Sequence, residues 1–327
     1  MPENSRPFDV ITFGETMLRL APPGYGRLEE ATTLDVRVGG SESSTAVALA
    51  RLGLRAAWWS NLPDNALGRR IENEIRRWGV DVSGVRWDKK EGARAGLYFL
   101  DFGVAPRSTE VTYDRAESSI NRTRLHDFDL ETLQSARLLH LTGITPALSA
   151  ACAEAATFLM QQAKAANVAI SFDVNYRSRL WAADDAQRTL TRLFTYGVDV
   201  LLCPLADAET IFGIAGDGPT VAREMKKRFG AKAVVITCGG DGAAACDDRG
   251  DWAVSAFALG PIVDRVGAGD AFNAGVILGW LQNDLALGLQ YGAAMAALKH
   301  TIPGDLLLAT RAEIEAARAG EAVGIRR

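Results

Sequence analysis

The stretch Val266-Gly267-Ala268-Gly269-Asp270-Ala271-Phe272 concentrates the residue types in this chain best suited to do chemistry. Three small residues precede an acid, and an almost wholly apolar run, Ala271 to Leu281, follows it. Small residues let backbone N–H groups approach an anion closely at a helix start, where the helix dipole amounts to about half a positive charge. Asp270 falls in the first turn, where dipole and N–H groups favour the ionised carboxylate, so its pKa is expected to be lowered. Beside a bound phosphate, such a carboxylate accepts the proton of an attacking hydroxyl. Taken alone, the same residues equally describe a strand-to-helix turn with a capping acid.

Two further glycine-dense segments stand at comparable junctions. Thr237-Cys238-Gly239-Gly240-Asp241-Gly242 follows an apolar strand, and the carboxyl ends of parallel strands are where open α/β sheets bind ligands. Near the amino terminus, Gly39-Gly40-Ser41-Glu42-Ser43-Ser44 leads into a helix that ends at Gly53. There a polyhydroxyl ligand would be able to lie against bare backbone. Each segment by itself is also a routine tight turn.

The elements that must hold these segments follow from periodicity. Apolar runs at Val10–Phe13, Leu138–Leu141, Ala169–Phe172, Val198–Leu202 and Val234–Thr237 read as strands buried on both faces, the mark of a parallel sheet covered by helices. Helical periodicity fills the intervals, as in Ala66–Trp78. Two regions alternate with period two instead: Met17–Leu20 with Asp35–Val38, and Ala95–Leu100 with Glu110–Tyr113. They predict a small antiparallel sheet inserted into the α/β body. Its apolar face must be covered by a ligand, by the body or by a second subunit, so the sheet is expected to act as a lid, a dimer interface or both.

Composition narrows the function classes. The chain has 327 residues, 48% hydrophobic and 23% charged, with a net charge of −4, an ordinary globular balance that gives no broad attraction for nucleic acid or anionic membrane. No apolar run reaches the roughly 20 residues that span a bilayer, and Met1–Pro7 lacks the apolar core of a secretory signal, so a cytoplasmic location is expected. The carboxy-terminal Gly320–Arg327 reads as frayed. Cys152, Cys203, Cys238 and Cys246 form no C-x-x-C pair and read as reduced, mostly buried thiols. His126, His140 and His300 lack the spacing of a metal site, and the tryptophans, Trp58-Trp59 included, are expected to pack at element edges.

Taken together and in order, the three glycine segments and the interrupting alternating strands resemble the ribokinase-like (PfkB) carbohydrate kinases over essentially the whole chain. That resemblance implies a three-layer α/β/α fold with a mainly parallel central sheet and a small β-sheet lid. The catalytic domain would comprise residues 1–15, 39–92 and 117–327, and the lid residues 16–38 and 93–116. It also implies ATP and Mg2+ as cofactors and a homodimer or higher homo-oligomer formed through the lid. Gly267, Ala268 and Gly269 would supply an anion hole and Asp270 the base; Thr237, Gly239 and Gly242 would border the nucleotide, and Gly39 and Gly40 would contact the sugar.

The stretches Gly39–Glu42, Asp173–Arg177, Asp264–Asp270 and Leu298–Asp305 look most like the 2-keto-3-deoxygluconate kinase subgroup. A keto-acid sugar carries a carboxylate, and Arg177, after an apolar strand, is a candidate for binding it because guanidinium grips carboxylate bidentately. By the same resemblance Tyr98, Tyr113 and Arg115 would close over the substrate. Departures are also visible: Ser44 stands where the family commonly has Asn, and Pro204-Leu205-Ala206-Asp207 replaces an N-x-x-E, leaving Asp207 as an outer-sphere Mg2+ contact. Arg265 replaces a common Thr and is expected to touch phosphate or pair with a neighbouring acid. The expected reaction is phosphorylation of 2-keto-3-deoxygluconate at its 6-hydroxyl. Rival readings are a kinase of ribose, fructose or a nucleoside, and a regulatory protein that binds sugar or nucleotide with little turnover. A dinucleotide-dependent dehydrogenase is disfavoured because no G-x-G-x-x-G follows the first strand.

Overall fold

The computed structural model describes residues 7–321. The amino-terminal Met1–Arg6 and residues 322–327 of the expected frayed end lie outside them. Thirteen strands are present among the described residues. The first seven are β1 (Phe8–Phe13), β2 (Met17–Ala21), β3 (Asp35–Gly39), β4 (Ala56–Pro63), β5 (Val85–Asp88), β6 (Leu97–Asp101) and β7 (Glu110–Asp114). They are followed by β8 (Ala136–Thr142), β9 (Ala169–Asp173), β10 (Val200–Pro204), β11 (Ala233–Thr237), β12 (Ala243–Asp247) and β13 (Gly250–Val254).

Nine strands form one sheet in the order β13-β12-β11-β10-β9-β8-β1-β4-β5. All neighbours from β11 to β5 run parallel, and β12 and β13 close one edge as an antiparallel hairpin. Helices cover both faces. One core contains Leu139, Ile170 and Leu201 of the sheet with Leu159, Leu193 and Met225; the other contains Val10, Ala56 and Leu138 with Leu49, Ala274 and Met295. The molecule is therefore a ribokinase-like three-layer α/β/α fold. Trp58 and Trp59 do not sit at element edges as expected. Adjacent strand residues point to opposite faces, so each tryptophan fills a different core, 0% and 2% exposed.

The second sheet has the order β3-β2-β6-β7. Its outer pairs are antiparallel as expected, but the central pair β2–β6 is parallel, because the 75 intervening positions from β3 to β5 return the chain in the same direction. The body covers its apolar face: Leu18, Val38 and Ala95 join the core beneath helix Ser41–Arg51. Helices Ala268–Leu281 and Leu285–His300 cross glycine to glycine, with Gly275 against Gly292 and Gly279 against Gly288. Close approach there leaves the start of helix Ala268–Leu281 at the carboxyl edge of the parallel strands.

Candidate active site

Asp270 lies in the first turn of helix Ala268–Leu281, whose cap residue Gly267 adopts φ 86°. A side chain at Gly267 would be strained by that φ, and its Cβ would stand 1.9 Å from the Asp305 carbonyl oxygen. Gly269 is different: nothing lies within 4 Å of where its Cβ would be, so the helix start opens onto free space. Backbone N–H groups facing an open helix start make an anion cradle.

The Asp270 carboxyl is half-buried and its pKa is pushed up to about 7, opposite to the expected lowering. Removal from water is the largest cause; the charge of Asp173 adds to it, while the Ser41 hydroxyl and the Arg177 charge pull the other way. The helix terminus thus loses to desolvation. A carboxylate poised near neutrality is a competent general base.

A closed ring of hydrogen bonds holds this acid. Ser41 Oγ donates to Asp270 Oδ1 at 2.5 Å and accepts from Asn175 Nδ2 at 2.9 Å. The backbone N–H of Asn175 donates to Asp173 Oδ1 at 3.1 Å, and Asn273 Nδ2 donates to Asp173 Oδ2 at 2.8 Å. Asn273 lies one helical turn beyond Asp270, which completes the circuit. Asp173, at the end of β9, is itself raised to about 7 by burial and by the charge of Asp207. None of Ser41, Asn175, Asp173 and Asn273 was singled out individually in the sequence. The available signal was polar residues placed where an apolar strand ends or an apolar helix runs.

Two cavities open near the helix start, one lined by its residues Ala268 and Gly269 and the other by Arg177, whose charge acts on Asp270. The first, of about 440 Å³, is lined by Thr237, Gly239, Gly242 and Arg265 on one side and by Phe272 and Ala297 on the other, so the four expected nucleotide-side residues converge. Gly269 and Ala268 border the same cavity, which places its polar end at the helix start. The second, of about 1000 Å³, lies between β7 and the turn after β9 and is lined by Tyr113, Arg115, Tyr176 and Arg177. Arg177 is exposed there and its charge acts on Asp173, Asp207 and Asp270.

Several of the expected contact residues are also engaged by the protein itself. Arg115 is bound in a half-buried ion pair with Glu15. Tyr98 is 4% exposed and donates to the Asp305 carboxylate at 2.6 Å rather than standing open to a ligand. Gly39 and Gly40 are glycines because protein fills the space: Cβ atoms there would stand 2.1 Å from Asp305 Oδ2 and 2.2 Å from the Glu15 carbonyl. Ser44 points into the body, where its Oγ is buried without a hydrogen-bond partner; Ser41, three residues earlier on the helix, is the serine that meets Asp270. Asp207 Oδ2 accepts the Tyr176 N–H at 3.0 Å, and burial raises its pKa.

Behind the helix start, Arg19 of β2 is 2% exposed and paired with Asp264 Oδ2 at 2.6 Å and Asp305 Oδ1 at 2.9 Å. Asp264 also accepts the N–H groups of Val266 and Gly304. The buried Lys299 donates to the carbonyls of Asp264 and Ile302, and burial lowers its pKa. This clamp ties the small sheet to the loop that enters the anion cradle.

An open helix start with a near-neutral acid and two neighbouring cavities suits phosphoryl transfer to an alcohol group. Residues 8–308 match the family model described as pfkB family carbohydrate kinase. A 2-dehydro-3-deoxygalactonokinase of Haloferax volcanii is 41% identical over 320 residues, 98% of this chain and 99% of that protein. A 2-dehydro-3-deoxygluconokinase of Bacillus subtilis is 34% identical, with 91% of each chain covered. The crystal structure of the Thermotoga maritima 2-dehydro-3-deoxygluconokinase superposes with a TM-score of 0.90 at 34% identity, covering 95% of this chain and 98% of that one. The chain belongs to the pfkB family of carbohydrate kinases.

Proposed function

We propose that the protein transfers the γ-phosphoryl group of ATP to the terminal hydroxyl of a 2-dehydro-3-deoxy aldonic acid, and that the gluconate form, 2-keto-3-deoxygluconate, is phosphorylated at its 6-hydroxyl. The observation that carries this reading is Asp270, with its pKa near 7, next in sequence to Ala268 and Gly269 of the first cavity and within reach of the charge of Arg177, which is exposed in the second. Asp270 takes the proton of the attacking hydroxyl as its oxygen bonds to the γ-phosphorus, and the bond to the departing ADP breaks. Backbone N–H groups of Gly267, Ala268 and Gly269 stabilise charge on the transferring group. Arg177 pairs with the sugar carboxylate, and Tyr113 closes the same cleft.

Mg2+ fits as a companion of the nucleotide. Among the described residues no group of three or more acid, histidine or cysteine side chains is placed to hold a metal, so the ion would be held mainly by phosphates, with Asp207 contributing through water. Bound there, Mg2+ supplies neutralisation of phosphate charge.

The second reading, the galactonate form, is favoured by the 41% identical relative, whose name carries that sugar. The two acids differ at the C4 hydroxyl. An ADP-release assay over both acids, ribose, fructose and a nucleoside decides among them. The keto-deoxy acids are expected to be turned over best, and Arg177→Ala is expected to raise the KM for them at least tenfold while leaving the KM for ATP unchanged. A neutral sugar as best substrate, with Arg177→Ala active, would overturn the sugar-acid reading. ATP binding without turnover on any sugar would favour a regulatory protein. We also propose a homodimer or higher homo-oligomer through the β3 side of the small sheet, where Val36 is exposed; sedimentation above the monomer mass is the expected result.

A further inference from the structure

We propose that Ser41, fixed by Asn175, is the positioning residue that orients the Asp270 carboxylate and keeps it ionised for catalysis. This rests on Asp270 being the base.

Ser41 is 8% exposed, and its hydroxyl has two defined jobs. It gives its one proton to Asp270 Oδ1, so it can only accept from Asn175, and the Asn175 amide meets that requirement. Asn175 sits at φ 38°, a backbone region that asparagine tolerates better than most residues and that persists where surrounding structure enforces it. Asp173 enforces it here, by accepting the Asn175 N–H with one oxygen and the Asn273 amide with the other. The ring therefore joins the first helix of the body, the end of β9 and the helix that carries Asp270. Its effect on Asp270 is twofold. Occupation of Oδ1 leaves Oδ2 as the oxygen for a substrate hydroxyl, and a donated hydrogen bond favours the charged form against burial.

The other charges facing Asp270 are Asp173 at the end of β9, Arg177 in the turn beyond it, Asp305 in the loop behind Gly267, and Lys299 of helix Leu285–His300. Asp173 and Asp305 raise the Asp270 pKa and Arg177 lowers it. Ser41 is the uncharged member of this set, so its removal leaves net charge unchanged and isolates the hydrogen bond.

The test is the pH profile of kcat/KM for wild type, Ser41→Ala, Ser41→Thr, Asn175→Ala and the Ser41→Ala/Asn175→Ala pair, with the preferred sugar and saturating ATP. Loss of the donor raises the Asp270 pKa, so the acid limb of Ser41→Ala is expected to move up by about one pH unit. kcat at pH 7 should fall about tenfold, and by less at pH 9, with the KM for ATP within twofold of wild type. Ser41→Thr, which keeps the hydroxyl, should restore the limb. Asn175→Ala should move it the same way by less, and the pair should be no worse than Ser41→Ala. Asn175→Ala carries the test should Ser41→Ala fail to fold. An unmoved limb with kcat within twofold, in a protein whose Asp270→Asn variant is inactive, overturns the role of Ser41. Wild-type rates in Asp270→Asn overturn instead the base assignment on which it rests.

Discussion

Asp270 is subject to opposed demands, and their resolution is measurable. A helix start favours its charge and burial penalises it; burial wins, and the group titrates near 7. In its proposed role as base Asp270 must be ionised, so kcat/KM is expected to fall as pH drops below about 7. Asp270→Asn should lose roughly 100- to 10,000-fold in kcat. The same shift acts on stability with a definite sign. Because the folded pKa lies above that of an ordinary carboxyl, the ionised carboxyl costs stability above about pH 7, and the cost vanishes as pH falls toward 4. Asp270→Asn should therefore melt above wild type at pH 8, with the gap closing toward pH 4; equal or lower melting at pH 8 would contradict the burial reading. The glycine–acid pattern made Asp270 legible in the sequence. The direction of its pKa was not, since local sequence shows the helix start but not the carboxylate of Asp173, 97 residues away, or the desolvation around both. Nor does the sequence show that Ser41 meets the acid while Ser44 points into the body, because which side of a first turn faces the cleft depends on where the helix docks.

At the level of elements, the parallel strands were legible because each is apolar on both faces, and β8 to β11 lie where the runs predict. The parallel β2–β6 pairing was not, since alternation fixes which face is buried but leaves strand direction open. Nor was the clamp, in which Arg19 meets a partner 286 positions away. Burial works to lower the Arg19 pKa, but Asp305, Tyr98 and Asp264 outweigh it and hold the guanidinium charged. Removing one partner of a buried ion pair strands the other charges, typically at about 3–5 kcal/mol. Arg19→Met is expected to lower the chemical-denaturation midpoint accordingly and to weaken turnover. A midpoint equal to wild type would show that the clamp is not structural.

The molecule as a whole consists of a nine-stranded body and a four-stranded sheet that share one core beneath helix Ser41–Arg51. The sheet's inner strand β2 is bolted to the body by Arg19, whereas β7 is exposed along most of its length. A sheet fastened along one side and bare along the other does not swing as a board; it flexes like a flag on its pole. On the proposed function, admission of the sugar is expected to fall to β7 and the segment preceding it, with β2 staying still. Amide exchange in β7 is expected to be fast in the free protein and to slow on binding of sugar with a non-hydrolysable nucleotide, with β2 protected throughout. Equal exchange in the two strands would mean that the pole moves too.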